Sequence, residues 1–491
     1  MTQEESSRTL EELRSERLRK KEILEKKGIN PYQAYTSHEG DAIEIFLADF
    51  DTLEKNKTGI TVAGRVFSIR EHGGSIFFDL VDGTGKIQAY LKKDVDEELF
   101  TFFQEVVDRG DFLEVSGTFF TTKHGQQSIL VSDWKMLTKS LLPLPTQWFG
   151  IKDDDERYRK RYLDLLLRED ARDLFEKKAL FWYTMRRFMH ERDFLEIETP
   201  TLEVTTGGAE ARPFKTHHND FDIDVYLRIS VGELWQKRLM AGGFPRTFEI
   251  GRVYRNEGSS PEHLQEFINM EFYAAYMNFE DGKQFIRELY ITLAQEVFGT
   301  TRFERKDHMF DLSDTWKDLD YVDTVKEMTG VDVLEASEKE LESALKKLGV
   351  EYTGDNRERM TDSLWKYCRK QISGPAFLVN HPKVVAPLSK EHPDDPRKTF
   401  TIQPIIAGSE MGRAHAELND PVDQRKRFLK QQELLESGDD EAMMPDWEYV
   451  EMLEYGMPPT FGFGCGERLF SLLAGVTIRE SQLFPLMKPR D

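Results

Sequence analysis

Apolar residues change their period twice along this chain, and each change marks a different kind of structure. Over residues 8–27, Leu10, Leu13, Leu18 and Leu24 stand among alternating Glu, Arg and Lys, and the run ends at Gly28 with Pro31 just beyond. This predicts a solvated helix closed by a C-terminal glycine. From 59 to 137 the apolar residues are β-branched and aromatic and fall in runs of five to eight, split by "HGG" and "DGTGK". About five short strands are predicted there, with one helix at 94–108. From about 166 onward, long helical periods at 169–192 and 281–297 alternate with strand-like runs such as "TFEIGRVYRN", "INMEFYAAYM" and "PPTFGFGCGERLF".

Five strands with an intervening helix suit a small Greek-key barrel of the oligonucleotide-binding kind. "DGTGK" lacks the G-x-x-x-x-G-K-[ST] spacing of a phosphate loop and reads as a hairpin turn. In the second half, the strands at 247–256 and 267–276 are joined by a short loop. That makes the sheet antiparallel there and the class α+β, a mixed, largely antiparallel sheet flanked by helices. The expected organisation is an N-terminal basic helix extension over 1–57, the barrel over 58–145, a linker over 146–165 and a larger domain over 166–491. A charged, helical stretch at about 305–395 reads as an insertion into that domain.

Length and charge narrow the function. A chain of 491 residues exceeds one ordinary domain. A net charge of −22 argues against a protein that coats DNA or RNA through bulk positive charge. A local patch remains open: Arg14, Arg17, Arg19, Lys20, Lys21, Lys26 and Lys27 make the first helix the most basic segment, read equally well as i,i+4 pairing or as a face for nucleic acid. No run approaches the ~20 apolar residues of a membrane span, and the N-terminus carries no apolar secretory core. Cys368 and Cys465 form no metal or disulfide pattern, which fits a reducing, cytoplasmic setting.

The candidate chemistry gathers in two stretches. In "RVYRNEGSSPEHLQEF", alternation along a strand puts Arg255 and Glu257 on one face. Phe267, Glu271 and Tyr273 share a face of the returning strand, and His263 sits in the loop. A carboxylate in so apolar a run needs a partner. In "GFGCGERLF" the glycines fall as G-x-G-x-G, which fails the dinucleotide fingerprint but strips one face of a strand so that another body can lie against it. Arg468 then opens an apolar helix, where it can stack on a base and reach phosphate.

These stretches resemble motifs 2 and 3 of the class II aminoacyl-tRNA synthetases, and "FLEIETPTL" resembles their motif 1, which builds the dimer interface. A barrel placed ahead of the catalytic domain is similar to subclass IIb, the aspartyl, asparaginyl and lysyl enzymes. "TGGAEARPFKTHHNDFDIDVYLRIS", "GPAFLVNHPKVVAPLSK", "HAELNDPVDQRKRFLKQQ" and "GDDEAM" resemble the lysyl branch. The resemblance implies a homodimer that uses ATP and Mg²⁺ to join lysine to tRNA(Lys) through an adenylate. It implies that Arg255 binds the α-phosphate, that Phe267 and Arg468 sandwich the adenine, that Glu257 lies at the adenine edge or the acceptor end of the tRNA, and that His263 lies near the γ-phosphate. Gly208, Glu233, Glu271, Tyr273, Arg413 and Glu417 would form the lysine pocket, with Glu233 and Glu417 repelling each other and raising the pKa of one or both until an ammonium arrives. In the barrel, Arg65, Phe77 and Gln88 match anticodon-reading positions, although by apolarity alone Phe77 belongs to a core.

The sequence departs from the family pattern at four places. Arg413 and His415 replace an Asn and an aromatic residue, Leu264 replaces the Asn after the motif-2 His, and Gln403 replaces one of two acidic Mg²⁺ positions, the other being Glu410. The alternatives are an aspartyl or asparaginyl enzyme, a paralogue that attaches a lysine-like group to a protein, and a non-catalytic tRNA-binding regulator. Glu233 and Glu417 weigh against the first, the barrel against the second and complete motifs 2 and 3 against the third.

Overall fold

The computed structural model describes residues 9–37, 42–145, 153–209, 211–258, 260, 263–305, 307–352, 356–438 and 442–490. The chain divides into two compact units, Met1–Arg157 and Tyr158–Asp491.

In the first unit, strands Gly59–His72, Ser75–Val81, Lys86–Lys92, Phe112–Thr121 and Gln127–Thr138 close a barrel, taken in chain order 1-2-3-5-4. Strands three and five run parallel and the other described pairs antiparallel. Helix Glu97–Val106 fills the connection between strands three and four. The "DGTGK" turn is held by Asp82, whose carboxylate accepts from the backbone N–H groups of Thr84 and Gly85. Alternate residues Ile76, Phe78 and Leu80 of the second strand are buried with Val62, Ala89, Leu91, Val115 and Ile129.

The first helix, Leu10–Lys26, starts in a capping box between Thr9 and Glu12. It is not the wholly solvated element that its charge pattern predicts. Leu24 joins the barrel core, and the buried Arg17 donates to the backbone carbonyls of Arg109, Ser140 and Leu142. Lys20 pairs with Asp108 at 2.8 Å, Lys21 with Glu25 and Arg19 with Glu16. Much of the basic patch is thus spent inside the unit.

In the second unit, the main sheet runs Lys317–Asp320, Ala376–Pro382, Lys398–Ile406, Arg413–Ala416, Thr460–Gly466, Glu266–Ala275, Arg246–Tyr254, Leu195–Glu196. It is parallel only at its two edges. Helices Glu169–His190 and Phe279–Phe298 cover one face, burying Phe181, Met185, Phe188, Ile286, Leu289 and Leu293 against Phe248, Phe272 and Phe463. The opposite face carries Glu249, Glu271 and Tyr273.

Two sequence expectations give way here. Past 146–152, of which Thr146 and the six residues after it lie outside the described residues, the expected linker is helical at Asp154–Arg159 and Arg161–Leu167. Arg161 and Asp164 are buried as an ion pair, which ordinary linkers do not form. The 305–395 stretch is not one helical insertion. Its helices Tyr321–Thr329, Glu338–Leu348 and Arg357–Arg369 build a small core around Trp365, but Lys317–Asp320 and Ala376–Pro382 are strands of the main sheet. The first is charged at three of four positions, and the second shows no apolar–polar alternation because nearly all of it is buried. Asp439, Asp440 and Glu441 of "GDDEAM" lie outside the described residues.

Candidate active site

The strand Arg246–Tyr254 pairs with Glu266–Ala275 in the register Val253↔Phe267, Glu249↔Glu271 and Thr247↔Tyr273. The strand ends at Tyr254, so Arg255 and Glu257 lie in the loop beyond it and not on a strand face. One more ladder bond, Arg255 N–H to the Gln265 carbonyl at 2.9 Å, keeps the loop's base closed. The half-buried Arg255 guanidinium donates to the Ile229 carbonyl and stands 5.4 Å from the Phe267 ring centroid. His263 Nδ1 lies 2.8 Å from the Ser260 hydroxyl.

Thr460–Gly466 pairs on the other side of Glu266–Ala275, with Gly462 opposite Tyr273 and Gly464 opposite Glu271. The glycines act as their spacing predicts. A Cβ on Gly462 would meet Glu417 Oε1 at 2.2 Å and the Tyr273 ring at 2.5 Å; one on Gly464 would meet Glu271 Cγ at 3.1 Å. The carboxylates lie directly on this bare backbone. Gly462→Ala should therefore displace Glu417 and Tyr273, and the lysine KM in ATP–diphosphate exchange should rise at least about tenfold with the ATP KM held, since the added methyl has no space in a packed site.

All thirteen site residues expected in the second unit line one cavity of about 390 Å³: Gly208, Glu233, Arg255, Glu257, His263, Phe267, Glu271, Tyr273, Gln403, Glu410, Arg413, Glu417 and Arg468. The volume suits a small-molecule site. Asn269, unremarked in the sequence, lines it too, and its Nδ2 donates to Glu271 Oε1 at 3.0 Å. The same oxygen accepts from the Val231 N–H, while Glu271 Oε2 accepts from the Tyr273 hydroxyl at 3.2 Å. Burial and the neighbouring Glu233 push the Glu271 carboxyl up to about 7.

Glu233 and Glu417 do not face each other bare, as the sequence reading has it. Lys237, one turn along helix Glu233–Ala241, places Nζ 2.7 Å from Glu233 and 2.5 Å from Glu417. The Glu417 carboxyl is still pushed up to about 8: burial raises it, Lys237 pulls it down, and Glu233 and Glu271 add to the rise. The sequence signal for Lys237 was its i,i+4 spacing from Glu233, a spacing that ordinarily marks a solvated pair.

Across the cavity, Arg413 donates to the Val385 carbonyl and pairs in register with Gly464. His415 lies near Arg413, and burial first, then the Arg413 charge, keeps it neutral. Gln403 Oε1 lies 2.8 Å from His381 Nε2. Glu410 Oε1 accepts from the Trp365 indole at 2.7 Å, with Arg369 at 3.7 Å. Among the described residues no cluster of three or more His, Cys, Asp or Glu is arranged to hold a metal. One carboxylate with one oxygen uncommitted fits a Mg²⁺ held mainly by substrate phosphates, not one caged by protein.

In the barrel, Phe77 is half-buried and points outward between the core residues Ile76 and Phe78, so its apolarity misleads as to the core. It stacks on Tyr90 with centroids 4.3 Å apart and planes 1° from parallel. Arg65 lies over Phe112 at 4.2 Å, and Gln88 Oε1 accepts from the Ser128 hydroxyl at 3.0 Å.

Residues 153–488 match the family described as tRNA synthetases class II (D, K and N), and residues 60–137 match the OB-fold nucleic acid binding domain. The chain is 42% identical to the lysine–tRNA ligase of Thermosipho melanesiensis over 98% of its own length and 96% of the relative's. It is 42% identical to that of Thermotoga maritima, covering 98% and 97% of the two chains, and 40% identical to that of Halalkalibacterium halodurans, covering 98% of each. By this match over most of its length, and by its relatives, the chain belongs to the class II tRNA synthetases of the aspartyl, lysyl and asparaginyl group.

Proposed function

We propose that this chain is a lysine–tRNA ligase. The observation that carries the reading is the cavity end formed by Glu233, Glu271, Glu417 and Tyr273 against bare glycine backbone, which suits an ammonium on a long apolar stem. An aspartate side chain would need cations there. ATP–diphosphate exchange measured with each of the twenty amino acids should show lysine alone supporting exchange above background; aspartate or asparagine doing so would overturn the reading.

The chemistry needs no nucleophile from the protein. A lysine carboxylate oxygen attacks the α-phosphorus of ATP, the bond to diphosphate breaks, and lysyl-adenylate forms. A ribose hydroxyl at the tRNA terminus then attacks the lysyl carbonyl carbon and AMP leaves. The chain's residues supply placement and charge. Arg255 holds the α-phosphate as negative charge gathers on it. The Phe267 ring and the Arg468 guanidinium enclose the adenine, Glu257 meets its edge, and His263 stands at the γ-phosphate. Arg413 receives the substrate carboxylate. Glu410, with Gln403 beside it, would hold a phosphate-bound Mg²⁺, which when bound neutralises phosphate charge.

In the barrel, the Phe77 face offers a stacking platform for a splayed anticodon base, with Arg65 and Gln88 at its edges. Phe77→Ala with Gln88→Ala should weaken tRNA(Lys) charging by about 1–3 kcal/mol per lost stacked base while lysine activation holds. An equal fall in activation would assign those residues to the fold. We further propose a cytoplasmic homodimer: Leu195, Leu202 and Val204, all in or beside the motif-1 stretch, are 48–65% exposed and apolar, as is Tyr183 at 61%. No described helix is long and apolar enough to cross a membrane.

A further inference from the structure

Lys237 has no solvent exposure and does not line the cavity, although both carboxylates it touches do. It takes Glu233 Oε1 and Glu417 Oε2. The remaining oxygens turn to the cavity wall: Glu233 Oε2 is 2.9 Å from where a Cβ on Gly208 would stand, and Glu417 Oε1 is 2.2 Å from that of Gly462, both glycines being cavity-lining. We propose that Lys237 is a positioning residue, a built-in counter-ion that grips the far oxygen of Glu233 and of Glu417 so that their near oxygens are spaced and aimed before the substrate ammonium arrives. The proposal rests on the lysine reading above.

The alternative state explains why a counter-ion is needed. Three carboxylates share one buried pocket, and without Lys237, which pulls the Glu417 carboxyl down against burial, Glu417 would take up a proton more readily and hold an ammonium less well. The groups that face Lys237 are Glu233, Glu417, Tyr273, Tyr449 and His415. Burial keeps both tyrosines protonated and His415 neutral, so Lys237 is the one cation in that set, and its carboxylate neighbours hold it charged. Because Lys237 uses only the far oxygens, it supports the substrate ammonium without competing for its place.

The test is lysine KM and ATP KM in ATP–diphosphate exchange by the full chain between pH 6.5 and 9.5. Lys237→Met keeps length and apolar packing but removes the charge. At pH 7 its lysine KM should rise roughly 10- to 100-fold with the ATP KM unchanged, and part of the loss should return towards pH 9 as the carboxylates shed protons. Lys237→Arg should keep the pH profile and stay within about threefold of the unmodified chain, as the charge remains. An unchanged or lowered lysine KM in Lys237→Met, or a loss equal at every pH, overturns the proposal. Where the methionine variant does not fold, Lys237→Arg decides: a pH-independent loss of lysine binding there overturns the proposal too. If the unmodified chain fails to activate lysine, the lysine reading has failed; if it succeeds and Lys237→Met behaves like it, only this proposal has.

Discussion

Arg255→Ala should leave a folded protein that forms almost no lysyl-adenylate. The guanidinium sits just past the hairpin's first strand, anchored by the Ile229 carbonyl and backed by Phe267. Burial lowers its pKa, with Glu257 and Glu271 opposing, yet arginine remains charged at any working pH. Charge on the α-phosphate grows as the carboxylate attacks, so the contact strengthens in the transition state. Removing one such preorganised donor costs about 10²–10³ in rate, and here a full positive charge goes with it. The expected reading is a kcat for ATP–diphosphate exchange lower by at least that factor, with an unchanged circular-dichroism spectrum. Near-normal exchange in the folded variant would remove Arg255 from the phosphate site.

Glu417→Gln should have the second-largest effect, and on lysine instead of ATP. Glutamine keeps the shape against Gly462 but leaves the substrate ammonium with one fewer charged partner in a buried site, a loss of about 2–4 kcal/mol, or a lysine KM roughly 30- to 1000-fold higher. The pH dependence identifies the group. In the unmodified chain burial and the neighbouring carboxylates push Glu417 and Glu271 above the usual carboxylate range, so at lower pH the pocket takes up protons and binds an ammonium poorly. Lysine KM should accordingly fall as pH rises from 6 to 8.5, until the substrate's own ammonium, with a pKa near ~10.4, begins to lose its proton. Glu417→Gln should flatten this pH dependence, because one carboxyl fewer takes up a proton. A variant with the full dependence intact would show that Glu417 does not face the ammonium. Ornithine, shorter by one methylene, should lose only about 1–3 kcal/mol against lysine in the unmodified chain.

The parts legible in the sequence were those in which one face of a strand differs from the other. Short β-branched and aromatic runs split by glycine turns announced the barrel strands, period-two alternation announced the antiparallel hairpin, and the G-x-G-x-G run announced a backbone surface on which Glu271 and Glu417 now rest. Legibility failed where a charged residue does a buried residue's work. Arg17 reads as part of a solvated helix and Lys237 draws no notice at all, because spacing gives the period of a helix but not what packs on its polar side. The edge strands Lys317–Asp320 and Ala376–Pro382 failed for a related reason: the first is charged at three of four positions, and its partner shows no alternation because most of its residues are buried on both faces. Arg255 reads as a strand residue but lies just past the strand's end at Tyr254, and with one ladder bond still made there the boundary is marked by no propensity.

The seat of Arg17 bears on how this protein can be divided. Its guanidinium closes off carbonyls at Arg109, Ser140 and Leu142, where the chain enters the fourth barrel strand and leaves the fifth. A fragment begun at residue 58, where the strand pattern starts, would expose those carbonyls, lose Leu24 from the core and strip Asp108 of Lys20. An isolated barrel that keeps these contacts includes the helix from its cap at Thr9, and a tRNA-binding assay on such a fragment should carry that helix to measure recognition and not partial unfolding.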